Sequence, residues 1–227
     1  MRSLLFTLAI IFFFSLTACN NSTPEVEPEQ EDSTDVVVEQ QGLQFNTVFP
    51  ELHQYFLSED TSFSPTDFEE SESRVKGPDL DLPVDTTELR RYSPYLLFNS
   101  DSSLALDAVS YNYLPVKKGG VSRLAEQGPD FEVSLVNFKT GKKRRLLFFG
   151  ASGGSFLDAK WQNDSTLLMA GALDWNDANS LRPVMWRYTV PTGEWQQFTS
   201  TRIIQANWAG YPKKPYELNA VRTSPVF

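Results

Sequence analysis

Cysteine and histidine are almost missing from this chain: each occurs once, as Cys19 and His53. One thiol excludes an internal disulfide framework, which a domain of this size does not need. Zinc sites of the usual kind take three or four Cys or His ligands, an inventory the chain does not hold. A lone His53 between Leu52 and Tyr55 reads as a packing residue rather than a catalytic base. Basic excess is missing too, with 20 Lys and Arg against 29 Asp and Glu. Nucleic-acid recognition draws on a broad basic field, so no nucleic-acid partner is expected. Long hydrophobic runs are confined to the first residues, which leaves nothing further along to span a bilayer.

Those first residues carry the clearest signal. Met1-Arg2 supplies a positive start, Leu4 to Leu16 is almost wholly apolar, and Leu16-Thr17-Ala18-Cys19 closes the run. A dozen or so apolar residues fit the core of a signal peptide better than a membrane span. The ending resembles the bacterial lipobox. That resemblance implies cleavage before Cys19, with acyl chains such as palmitate on the Cys19 sulfur and on the new amino terminus. Each buried acyl CH₂ contributes about 0.8 kcal/mol, and stable anchoring takes more than one chain. In the best-known lipoprotein sorting system an Asp after the Cys retains the protein on the inner membrane. Asn20 stands there instead, so the resemblance implies an outer-membrane address, on the periplasmic face or the cell surface.

Charge divides the rest. Residues 20–85 hold 17 acidic and 2 basic side chains, and residues 86–227 hold 12 acidic and 17 basic. Within the acidic half, residues 19–42 have little to bury and repel themselves, which predicts a disordered tether after a signal peptide over 1–18. Residues 43–91 read as an acidic arm. Pro50 can open a short helix over 50–58, because Leu52, Tyr55 and Phe56 follow at helical spacing. Residues 58–88 read as loop.

The body, residues 92–227, alternates apolar and aromatic runs with turn signals, the pattern of strands. Strands are expected near 94–99, 103–111, 132–138, 144–149, 156–161, 166–173, 183–190 and 194–199. The pattern occurs twice, over 92–150 and 155–200, with 201–227 as a C-terminal cover. Asn99-Ser100-Asp101-Ser102-Ser103-Leu104 parallels Gln162-Asn163-Asp164-Ser165-Thr166-Leu167, and Thr140-Gly141 parallels Thr192-Gly193. A longer insertion in the first copy, between Tyr113 and Asp130, absorbs the difference in their spacing. Asp and Ser bond nearby backbone, and Gly supplies the positive φ that a tight hairpin demands. Each copy is similar to a β-propeller blade of the exported WD40-like and TolB-type repeats. The fold class expected is therefore all-β, with two antiparallel blade-like sheets forming an incomplete propeller or a small sandwich. A closed propeller takes four or more blades, and two are visible.

Candidate chemistry is sparse. Gly150-Ala151-Ser152-Gly153-Gly154 matches a nucleophile elbow. That motif requires a following helix and a downstream His, and Phe156 onward reads as strand. Asp174-Trp175-Asn176-Asp177-Ala178-Asn179-Ser180 gathers hard oxygen ligands, which suits calcium by type but not by EF-hand spacing. Asp174, Asn176 and Asp177 are the candidate ligands, and no other cofactor is expected. Asp101 and Asp164 repeat with the scaffold, which marks two equivalent turns rather than a catalytic pair. Lys142-Lys143-Arg144-Arg145 is the densest basic patch. It admits a charge-guarded edge strand, contact with anionic envelope material, or docking of the acidic arm onto its own body. Trp161 and Trp186 fall within strands and read as core, whereas Trp175 and Trp195 fall near turns and read as binding aromatics.

No catalytic residue is assigned. The expected function is a non-enzymatic, lipid-anchored envelope module that binds or assembles a protein or glycan partner through residues 112–130 and 174–182. The alternative is a carboxylate-based, metal-assisted envelope hydrolase using Asp174 and Asp177.

Overall fold

The computed structural model describes residues 45–75, 81–118, 121–150, 153–175 and 177–205. The signal-like run, Cys19, the tether and residues 206–227 lie outside the described residues, as do Ala151, Ser152 and Asn176.

The described chain is all-β apart from short helices, and its sheets are antiparallel. Helices α1 (Phe45–Val48) and α2 (Pro50–Glu59) come first. The expected opening at Pro50 is observed: its missing N–H falls where a helix has no acceptor to give it.

Two up-and-down meanders follow. The first consists of β3 (Leu97–Phe98), β4 (Leu104–Asp107), β7 (Phe131–Asn137) and β8 (Lys142–Phe149). The second consists of β9 (Ser155–Asn163), β10 (Thr166–Trp175), β11 (Asp177–Thr189) and β12 (Glu194–Ser200). Their closing hairpins match. Gly141 has φ +64° and Gly193 has φ +67°, the left-handed region where a side chain is strained. Each donates its N–H four residues back, to Asn137 and Thr189.

The arm corrects the loop expected over 58–88. Phe68–Val75 forms β1 on the open edge of β12, and Asp81–Pro83 forms β2 on β8. Each meander thus has its last strand covered by a strand of the acidic arm. An edge strand is held through its backbone, so polar sequence suffices. β1 accordingly leaves nearly all its side chains to solvent.

Other boundaries also moved. The strand expected at 94–99 shrinks to β3, because Pro94 sits in a 3₁₀ turn over Arg90–Tyr95 and cannot donate to a ladder. The strand expected over 103–111 ends at Asp107, whose carboxylate accepts the N–H groups of Val109 and Ser110 and turns the chain. The insertion over 112–130 is a separate ribbon, β5 (Tyr113–Lys118) paired with β6 (Val121–Glu126). The loop expected over 174–182 is mostly ladder: Asp174 pairs Leu181 and Trp175 pairs Asp177. β11 can run this far because its first half also pairs β13 (Ile204–Gln205), the described part of the expected C-terminal cover.

Three apolar layers hold these elements. Leu106, Val133, Leu135 and Leu146 of the first sheet pack on Leu167, Met169, Val184, Trp186 and Tyr188 of the second. The alternate residues Leu168, Ala170 and Met185 face outward under Phe45, Phe49, Leu52 and Phe56. On the far side Ala105 and Val136 lie under Leu89, Tyr92, Leu96 and Tyr113. Strands buried on both faces read as continuous apolar runs, which is why Leu167 to Leu173 shows no alternation. Full burial of a Leu or Phe side chain contributes roughly 1.5–3 kcal/mol, so the helical covers stabilise the sheets substantially. They close the faces that further blades would cover in a ring. Among the described residues no sheet closes into a propeller or barrel, and no helix is long and apolar enough to cross a membrane.

Candidate functional site

β2 brings Asp81 against β8 at the register pair Asp81–Arg144. The Arg144 guanidinium donates to both Asp81 oxygens, at 2.9 and 3.0 Å, and to the Tyr188 hydroxyl at 2.6 Å. The Asp81 carboxylate pushes the guanidinium above its ordinary range, against the opposing effect of burial. Beside this pair opens a cleft of about 290 Å³ at the ends of the two sheets. Leu104, Leu135 and Val190 form its apolar wall, with Asn137, Thr140 and Lys142 on the polar side. Arg144 is already engaged there, with three of its N–H donors on Asp81 and Tyr188.

Lys143 and Arg145 converge elsewhere, on Glu132 of β7. That side chain is 2 % exposed. Lys143 Nζ donates to it at 2.9 Å, Ser134 Oγ at 2.6 Å and Arg145 Nε at 2.7 Å. Burial alone pushes the Glu132 carboxyl up, but the bonds from Lys143, Ser134 and Arg145 together outweigh it and hold it below its ordinary range. Of the four consecutive cations, three are therefore paired within the protein, Lys143 and Arg144 half-buried and Arg145 exposed, and Lys142 is exposed as well. The geometry corresponds to the acidic arm docking on its own body through Asp81, not to a free basic surface.

The binding tryptophans also separate. Trp195 lies in the core, 1 % exposed, against Trp186 and Tyr188 with ring centroids 6.4 Å away in both cases. A position just after a turn still points inward when the strand's alternation demands it. Trp175 ends β10, and its side chain lies outside the described residues. Trp186 is core, as read from the sequence, and donates to Gln197 at 2.9 Å. Trp161 is half-buried and donates to the Leu97 carbonyl at 2.9 Å, linking the two sheets.

Of the candidate calcium ligands, Asp174 is exposed at the end of β10, Asp177 starts β11, and Asn176 lies outside the described residues. Among the described residues no three His, Cys, Asp or Glu side chains gather as a metal site. The stretch after β8 leads directly into strand β9, not a helix. Gly154 stands there with φ +134° because an added Cβ would lie 2.6 Å from the Ala172 carbonyl oxygen. Close backbone approach, not nucleophile exposure, accounts for that glycine. His53 packs edge-on to Phe45 and tilted to Phe63, 6.4 and 5.9 Å between ring centroids.

The two repeated aspartates are not equivalent, contrary to expectation. Asp101 caps its own turn by accepting the Ser103 N–H, and pairs with Lys139 at 2.9 Å. The Ser103 hydroxyl and the Lys139 ammonium hold its carboxyl well below the usual range. Asp164 instead reaches into the other repeat and accepts both the N–H and the hydroxyl of Ser100.

Exposed apolar side chains occur in and beside the insertion over 112–130, through which a partner contact is expected. Tyr111, Leu114, Val116 and Phe148 are 46 %, 45 %, 40 % and 44 % exposed, although all four are large and apolar. Leu114 and Val116 share one side of the β5–β6 ribbon by strand alternation. Tyr111 and Phe148 meet edge-to-face at 5.8 Å, with the Arg145 guanidinium 4.9 Å over the Phe148 ring. The available signal was the insertion itself: one repeat carries a ribbon that the other replaces with a direct turn from β10 to β11. Comparison with known proteins finds no matching family model, no matching curated protein and no matching solved structure.

Proposed function

We propose that this protein is a lipid-anchored, non-enzymatic binding or assembly module of the cell envelope. The anchor is Cys19 of the lipobox-like Leu16-Thr17-Ala18-Cys19, and the outer membrane follows from Asn20 by the same resemblance. The observation that carries the binding role is the β5–β6 ribbon. It is an insertion that the second repeat lacks; its inner side helps to cover the first sheet, and its outer side holds Leu114 and Val116 in water. Apolar side chains exposed together on one face mark an interaction site, as single ones do not.

A photo-crosslinking residue placed at Leu114 in intact cells tests the role. Capture of an envelope molecule at Leu114, with none at the exposed Ser73 of β1, is the expected result. Recovery of only unmodified monomer from Leu114 overturns it.

A further inference from the structure

We infer that the cleft between the two sheets beside Tyr188 binds a small organic anion, a carboxylate on a short aliphatic stem. No residue of the β5–β6 ribbon lines this cleft, so the site stands apart from the proposed binding role.

Backbone register builds the site. Leu135 and Asn137 are alternate residues of β7, and they pair with Arg144 and Lys142, alternate residues of β8. Alternation puts all four on one face of the first sheet. It is the inner face, because Leu135 and Leu146, two residues beyond Arg144, pack on the second sheet. At the other end of β7 the sheets meet ring on ring, with Phe131 stacked on Phe156 at 6.0 Å between centroids. At this end the core-facing positions hold Asn137, Lys142 and Arg144, and about 290 Å³ stays open. Cations turned toward a core are costly unless an anion meets them. Asp81 meets Arg144. Among the described residues no carboxylate meets Lys142.

Donors there outnumber free acceptors. Both Asp81 oxygens accept from Arg144. Tyr188 is 0 % exposed, and its hydroxyl also accepts from Arg144, at 2.6 Å. A guanidinium has no lone pair with which to accept in return, so the hydroxyl hydrogen is left for a ligand oxygen. Asn137 Oδ1 accepts the N–H groups of Lys139 and Thr140, which leaves its amide nitrogen as a further donor. Lys142 and Arg144 against Asp81 leave an excess of one positive charge, which matches a monoanion. Leu104, Leu135 and Val190 supply an apolar wall that suits an aliphatic stem and not a second charge. Ligand pockets run from about 300 to 1,000 Å³, so this one takes a short stem. A sugar, whose hydroxyl groups also donate, would meet a carboxylate already taken up by Arg144.

The test titrates the full chain with hexanoate and follows methyl resonances. Saturable shifts are expected at Leu104, Leu135 and Val190, with none at Leu168, which lies under α2 on the opposite face of the second sheet. Acetate, which lacks the stem, and hexylammonium, which reverses the charge, should bind far more weakly. K142Q and Y188F should each weaken hexanoate roughly tenfold, the scale of one hydrogen bond to a charged group. R91Q removes the same charge from an exposed side chain elsewhere and should leave binding unchanged. Absence of saturable shifts at Leu135 and Val190, equal binding of hexylammonium, or wild-type affinity in K142Q each overturns the site. Because Lys142 is exposed, K142Q decides the matter even if Y188F fails to fold.

Discussion

Glu132 shows how one buried side chain organises a surface that looked basic. Its carboxylate collects Lys143, Arg145 and Ser134, and removing its charge strands two cations. E132Q is expected to lower unfolding free energy by about 2 kcal/mol, the scale of charged hydrogen bonds, measured by urea denaturation at neutral pH. The pH dependence has a definite sign. The carboxyl is held below its ordinary range in the fold, so its contribution is complete above the unfolded value near 4.5. It drains away as pH falls further, because the unfolded chain binds the proton first. Stability curves of wild type and E132Q should therefore converge on acidification, and a constant gap between them refutes this role. Gly141 makes a separate case. Space surrounds its missing Cβ, so G141A isolates the cost of φ +64°, about 1–2 kcal/mol. An unchanged urea midpoint for G141A contradicts the turn geometry.

At the scale of elements, the strands of both meanders were legible because apolar runs between turn residues leave few alternatives. Their closing glycines were legible for the same reason, since a tight turn exposes its φ requirement in the choice of residue. β1 and β2 were not. Phe68-Glu69-Glu70-Ser71-Glu72-Ser73-Arg74-Val75 has the composition of a loop, and only the free edge of β12 makes it a strand. Local sequence does not record which distant edge is open. Trp195 was misplaced for a related reason: nearness to a turn says nothing of which way a strand faces. The candidate site was less legible still. The sequence marked the insertion at 112–130, but not that Leu114 and Val116 would stay in water. It marked the cations of β8, but not the Glu132 and Asp81 that neutralise them. The helical cover has its own test. Phe56 is buried against Phe45 and Phe63, so F56A should lower stability by about 3–5 kcal/mol. Urea denaturation reads the loss directly. A value near zero means α2 is not the cover of the second sheet.

At the scale of the molecule, two four-stranded meanders, widened to a five- and a six-stranded sheet, stand in place of a ring. They manage because the faces that further blades would cover are taken by α1 and α2 on one side and by the 3₁₀ segment with the β5–β6 ribbon on the other. The acidic arm covers the last strand of each meander. Among the described residues the chain's own elements cover both sheets, and Leu114 and Val116 of the inserted ribbon stay exposed. In the proposed reading the body is held at an envelope surface, through the sulfur of Cys19. Metabolic labelling with palmitate, followed by detergent phase partitioning of wild type and C19S, decides it. Label and detergent-phase recovery in wild type, both lost in C19S, is the predicted result. Equal label and equal partitioning in the two proteins would contradict membrane tethering through Cys19, and the binding role built upon it.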